Sequence, residues 1–327
     1  MVNNKCTSRQ CLHEKRLEGV AGATANALLW LEMRTAELAI QFRKALWLAF
    51  QHDVLNTAKA AAYSGMLMLF PTMVVVTTLL ALVPEGSTMM GQIRITFMHF
   101  LPSDTYGLLL SSMQTRRFQS TQLLFSALLL SVFAGLGMML SLMEGFRRAY
   151  QLPRGEWGFW ERRVRALLLV PTVHVPLALA TLVLVFGHQI EHWMVDNSAH
   201  DLRQAVLFFW RMVRWAIALV TSVTVLGALY HFGTRRKEQW FHVMPGAIAA
   251  TVLWFPATLA FGWYVTAIAN YSRFYGPFAA GIATLVWLYI TSFSALLGAE
   301  FNGVLFRGRM NEEETGVDFR ETIDSRG

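Results

Sequence analysis

The sequence predicts an all-α integral membrane protein: a six-transmembrane-helix bundle with an N-terminal interfacial amphipathic helix. Three observations lead there. Six apolar runs, at 60–83, 122–143, 164–187, 206–230, 243–266 and 278–299, each approach the ~20 residues that a helix needs to cross ~30 Å of hydrocarbon. Charged residues make up only 15% of the 327-residue chain, against 54% hydrophobic ones, where a soluble domain carries about 25% charged residues. Lysine and arginine also cluster between alternate runs. In lipid a backbone must satisfy its own hydrogen bonds, and long continuous apolar runs do so as helices rather than barrel strands.

Residues 1–27 form a polar N-terminal tail with no compact apolar core of the signal-peptide kind. Cys6 and Cys11, the only cysteines, lie in it, and two thiols make neither a disulfide framework nor a zinc site. Residues 28–55 are apolar enough to suggest a seventh span, but they contain Glu32, Arg34, Glu37, Arg43 and Lys44. Each charge at a helix centre costs about 2.5–3.5 kcal/mol, while a leucine returns only ~0.5. Arg34, Glu37, Gln41 and Lys44 share one helical face, and Leu31, Leu38, Phe42 and Ala49 another. This is the pattern of a helix lying on the inner leaflet, or packed against the ends of the spans. The membrane domain occupies 56–305.

The loop 84–121 is the longest outer connection. Pro102-Ser103-Asp104 divides it into two short helical pieces, with Ser103 or Asp104 as N-cap. The polar C-terminal tail, 306–327, is expected to be disordered after Arg309.

Segments 1–59, 144–165, 231–242 and 303–327 hold 21 of the 28 lysines and arginines. This positive-inside bias puts both termini, and the second and fourth loops, in the cytoplasm. The basic charge is thereby explained without nucleic acid, which is not expected as a partner. Arg211 and Arg214 depart from the pattern, and are expected to snorkel to headgroups or to line an outward vestibule.

Among chemistry-bearing patterns, His188, Glu191 and His192 have the H-x-x-E-H spacing of an inverted zinc peptidase. The motif sits where the third span leaves the membrane, with no domain to form a cleft, so a polar helix end is the expected reading. No G-x-x-x-x-G-K-[ST] loop occurs, and no cofactor is expected.

Ionisable groups within spans usually face the bundle interior or a wet cavity. Glu300, at the end of the sixth span, is either a proton or cation site coupled to transport or a salt-bridge partner of Arg147, Arg148 or Arg307. Glu144 has the same two readings. His174, between Pro171 and Pro176, can relay protons or bond a carbonyl that a proline has freed. Pro71, Pro171, Pro176 and Pro256 interrupt spans, as in transporter cavities. Tyr63, Ser64, Trp254, Tyr264, Asn270, Trp287 and Tyr289 offer polar tips to such a cavity, or belong to the interfacial belt. Gly135, Gly137, Gly281 and Gly298 suit close helix contact.

Two stretches carry a family resemblance. AAAYSGMLMLFPTMVVV (60–76) supplies Ala62, Tyr63, Phe70 and Pro71, with Ser64 where the pattern has a second tyrosine. YGPFAAGIATLVWLYITSFSALLGAEFN (275–302) supplies Tyr275-Gly276, Trp287-Leu288-Tyr289 and Leu297-Gly298-Ala299-Glu300. Pro245-Gly246-Ala247, Trp254 and Tyr264 fit as well. Over 40–305 the chain resembles the BrkB/YihY family of bacterial inner-membrane proteins. That resemblance implies six spans in the cytoplasmic membrane, and proposed roles in serum resistance or in the transport or export of lipid-like molecules. The family has also carried the label ribonuclease BN. The sequence speaks against that label, because RNA cleavage by metals needs water-exposed His and carboxylate clusters and the cytoplasmic loops here are short.

The expected function is transport or export of a lipid or other amphiphile, with membrane lipids as partners. The alternative is a non-transporting scaffold for envelope proteins, alone or as a homo-oligomer.

Overall fold

The computed structural model describes residues 37–80, 121–153, 155, 157–196, 203–235, 240–265 and 278–324. All of their regular structure is helical. Helix α1 covers 37–51. It is followed by α2 (Val54–Leu80), α3 (Thr121–Ala149), α4 (Phe159–Asp196), α5 (Arg203–Gly233), α6 (Trp240–Trp263) and α7 (Ala279–Asp324). Helices α2 to α7 each contain a stretch long and apolar enough to cross a membrane.

The six long helices close into a ring. α2 packs on α3 and α7, α3 on α4, α4 on α5, α5 on α6, and α6 on α7. α7 also reaches across to α3. Small residues permit these approaches. A side chain at Gly137 would touch Ser64 Oγ, one at Gly135 Met68 and Val170, and one at Gly281 Met66.

Burial is uneven along the ring. Among the residues whose burial is described, the buried ones lie in α2 from Val54 to Pro71 with Thr78 beyond, in α3 from Ser131 to Ala149, in α4 from Ala166 to Val170, in α5 from Val225 to Gly233, in α6 from Val243 to Thr251 and in α7 from Ser292 to Gly303. Most of them gather toward one end of the bundle, the arginine-rich end that carries Arg147, Arg148, Arg162 and Arg307. Large apolar side chains such as Phe125, Phe133, Val220 and Leu259 are exposed along the outside, as a lipid-facing surface requires.

Two expectations change here. The segment after Arg309 is helical: α7 runs on to Asp324. Helix propagation from a long, packed span needs no new nucleus, so a polar extension stays helical where an isolated one would not. Helix α1 also makes the bundle contact anticipated as one of its two readings. Phe42, Ala45 and Ala49 share a face; both alanines are buried, and the Phe42 ring meets Phe301 at 5.9 Å. Trp47 (68% exposed) and Phe50 lie outside that contact. Leu38, assigned to the apolar face, is exposed. The tail 1–27 and the loop 84–120, with its Ser103 or Asp104 cap, lie outside the described residues.

Candidate functional site

The arginine-rich end is built around a sharp turn between α1 and α2. Asp53 adopts φ 60°, the left-handed region that aspartate tolerates better than most residues. Its carbonyl accepts from the backbone N–H and the hydroxyl of Thr57, and its carboxylate accepts from Asn56 Nδ2 at 2.6 Å. This turn points His52 at α7. His52 Nδ1 and Glu300 Oε1 are 2.8 Å apart, across 248 residues of sequence. Glu300 is fully buried, whereas His52 keeps 19% exposure. Glu300 Oε2 has no hydrogen-bond partner among the described residues. A carboxylate buried with one hydrogen-bonding neighbour and one unsatisfied oxygen is costly.

Glu144 is bound differently. α3 ends in a left-handed Gln151 (φ 53°), with Leu152 N–H donating to Arg147 O at 2.9 Å and Gln151 N–H to Arg148 O at 3.0 Å. This is the paired closure of a Schellman motif. The turn holds Arg147 and Arg148 one helical turn beyond Glu144. Arg147 Nη2 donates to Glu144 Oε1 at 2.6 Å, Arg162 Nη2 of α4 to Oε2 at 3.1 Å, and Arg148 Nε to Oε1 at 3.4 Å. One carboxylate thus ties α3 to α4. Arg148 Nη1 also donates to His52 O at 3.4 Å, so the Glu144 and Glu300 clusters share one border.

Behind Glu300, α6 and α7 touch backbone to backbone. A methyl group on Gly246 would strike Gly298 O, and one on Gly298 would strike Gly246 O and Tyr230 Oη. Asn302 clamps the turn around Pro245: Gly246 N–H donates to its Oδ1 at 2.7 Å, and its Nδ2 donates to Val243 O at 2.9 Å. Tyr230 Oη donates to Ala295 O at 2.6 Å. The three contacts lock α5, α6 and α7 together.

Glu300 and Glu144 therefore come to the same end of the bundle, but the other anticipated residues do not join them. Glu300 pairs with His52 rather than with Arg147, Arg148 or Arg307. Arg307 instead donates to Ala149 O at 3.2 Å. His174 Nδ1 bonds Val170 O at 2.7 Å. That is its own i−4 carbonyl, not one of the Leu167 and Thr172 carbonyls that Pro171 and Pro176 leave without a donor. Tyr63 is 63% exposed on the outer face, and Ser64 packs at the α2–α3 contact. Pro71 is buried in α2. Its neighbour Thr72 bonds Ser131 Oγ at 2.6 Å.

Trp254 Nε1 donates to Thr291 Oγ1 at 3.0 Å, and that hydroxyl donates to Trp287 O. Tyr289 stacks on Phe293. Asn270 lies outside the described residues. His188, Glu191 and His192 sit on the far turns of α4, where the side chains are likewise not described. Among the described residues no three His, Cys, Asp or Glu side chains gather as metal ligands. His52, Asp53, Tyr230 and Asn302 escaped the sequence reading. The one local hint was a polar Gln51-His52-Asp53 turn between two apolar helices.

Comparison with known proteins agrees with this architecture. The model of the family described as virulence factor BrkB matches residues 49–321. A Bacillus subtilis relative named ribonuclease-like protein YfkH is 27% identical over 266 residues, covering 80% of this chain and 94% of its own. A UPF0761 membrane protein of Chromohalobacter salexigens is 26% identical, over 83% of this chain and 64% of its own length. Another, from Stenotrophomonas maltophilia, is 26% identical over 84% and 63%. The chain thus spans somewhat under two thirds of the length of these two longer relatives. No solved structure matches. With the family match running from the α1–α2 turn through α7, this chain belongs to the BrkB virulence-factor family of multi-pass membrane proteins.

Proposed function

We propose that the protein transports or exports a lipid or other amphiphile across the bacterial inner membrane, with both termini and the arginine-rich end in the cytoplasm. The observation that carries this reading is the uneven closure of the ring. Its buried contacts gather toward the arginine-rich end, where α5, α6 and α7 are locked. A bundle held shut at one end is what one state of an alternating-access carrier requires. The His52–Glu300 pair sits on the closed end, where an ionisable group inside a membrane bundle is a functional candidate. Opening would separate α1–α2 from α7 and break that pair.

The test uses vesicles reconstituted with the purified chain and a fluorescent phospholipid. Wild-type protein should move label between leaflets. Glu300→Gln should slow movement about tenfold, the equivalent of ~1.4 kcal/mol in the barrier. If no lipid moves, and cross-linking instead captures a stable envelope partner, the protein is a scaffold. The observation favouring that second reading is the extension of α7, which runs sixteen residues beyond the end of its apolar span at Gly308 and offers a rod for another protein.

A further inference from the structure

A cavity of about 60 Å³ opens at the arginine-rich end, between the end of α3, the start of α4 and the end of α5. By volume it holds several waters, and so a small polyatomic group but not a whole lipid. The ionisable groups lining it are Glu144, Arg147, Arg162 and Arg235. Glu144 is already shared among Arg147, Arg148 and Arg162. One carboxylate cannot neutralise the three guanidiniums that line the same space, so the described lining favours an anion.

Trp157 supplies a second observation. Trp157 is one of the residues lining the cavity, and its indole Nε1 is buried with no hydrogen-bond partner among the described residues. An indole N–H can only donate, so it suits an acceptor oxygen. The guanidinium of Arg165, 4.9 Å from the ring centroid, holds the indole in place. Exposed aromatics, Phe159, Trp160 and Phe232, adjoin the cavity-lining residues in sequence. Such rings sit at headgroup depth in membrane proteins, and basic pockets between spans at that depth bind phosphorylated headgroups.

We propose that this cavity is a binding site for a phosphate group, presented by an anionic phospholipid or as the free ion. Guanidinium donors match phosphate oxygens in pairs, and the Trp157 N–H adds one more donor. The site goes beyond the transport reading and stands whether or not any lipid crosses the membrane.

The experiment uses the full-length chain in neutral detergent micelles doped with phosphatidylglycerol, or with a diacylglycerol of the same acyl chains. Retained lipid is counted by native mass spectrometry, with inorganic phosphate as competitor. Phosphatidylglycerol should be retained in preference to diacylglycerol. Arg235→Gln should weaken that retention about fivefold, the effect of one basic side chain near a headgroup. Trp157→Phe keeps the ring and removes the N–H, and should weaken it about threefold. Arg163→Gln, a charge-matched change outside the cavity, should alter it by less than about twofold. Both informative variants spare the Glu144 ion pairs, so the folded bundle is retained.

If phosphate displaces the lipid and binds by itself, the free ion is a source. If millimolar phosphate leaves the lipid in place, the headgroup is the source. Absence of both lipid preference and phosphate binding overturns the site. So does a loss on Arg163→Gln equal to that on Arg235→Gln, which would mean diffuse surface attraction.

Discussion

Glu144 and Glu300 lie at the same end of one bundle, yet they are held in opposite ways. Glu144 is 26% exposed and faces three arginines on two helices. Glu300 is fully buried, and its one hydrogen-bonding contact among the described residues is a histidine from the α1–α2 turn. The first arrangement is redundant and wet: losing any one arginine leaves two, and water can compensate the rest. In the second the carboxylate is fully buried, and it has a single hydrogen-bonding partner among the described residues. Redundant ion pairs at a surface fix geometry at little energetic gain, whereas a sparsely satisfied buried pair is sensitive to any change around it. The contrast separates a structural tie between α3 and α4 from a latch between α1–α2 and α7.

Four substitutions test that contrast, read by denaturation of the purified protein in mixed micelles. The largest effect should come from the buried side. Gly298→Ala drives a methyl group into the Gly246 carbonyl, Tyr230 Oη and Ala250, and should cost more than about 3 kcal/mol, at the top of the overpacking range. A neutral outcome would mean that α6 and α7 separate freely, and the latch would lose its backing.

Next comes His52→Ala, which strands Glu300. Removing one member of a buried pair costs about 3–5 kcal/mol, and the partial exposure of His52 places the expectation near the lower bound. Adding Glu300→Gln to His52→Ala should recover part of that loss, because no charge is then left buried. If the double variant is no better than the single one, the pair is not electrostatic.

The smallest effect belongs to the wet side. Glu144→Gln should cost about 1 kcal/mol or less, since its partners remain reachable by water. A cost as large as that of His52→Ala would abolish the distinction between the two carboxylates.

Much of this was legible in the chain before any coordinates. Each of the six apolar runs falls on a helix among the described residues, although α2 starts at Val54 and α4 continues to Asp196, beyond the apolar runs at both places. Apolar content marks where lipid begins, not where backbone hydrogen bonding ends, so amphipathic turns at span ends were underread. The tail after Arg309 was misjudged for a related reason. Its composition speaks of solvent, but its conformation is inherited from the packed helix before it. Charge placement alone pairs Glu300, an ionisable group within a span, with Arg147, Arg148 or Arg307, whereas the structure buries it against His52. His52 is marked in the sequence only by the polar Gln51-His52-Asp53 turn, which says nothing of a partner 248 residues away. Asn302 lay inside the very motif that carried the family resemblance, without any local sign that it would clamp Val243 and Gly246.

The chain by itself determined the solvent and the architecture. Six runs of hydrocarbon-compatible residues have only one low-energy way to satisfy their backbones in a bilayer, and that preference is local and additive along the sequence. The tertiary structure alone decided which groups meet: His52 with Glu300 across 248 residues, the backbone of Gly246 with that of Gly298, and three arginines around one cavity. Those meetings depend on how the helices rotate and close into a ring. Rotation is set by the sum of many small packing contacts, none of which leaves a signature in the order of the residues.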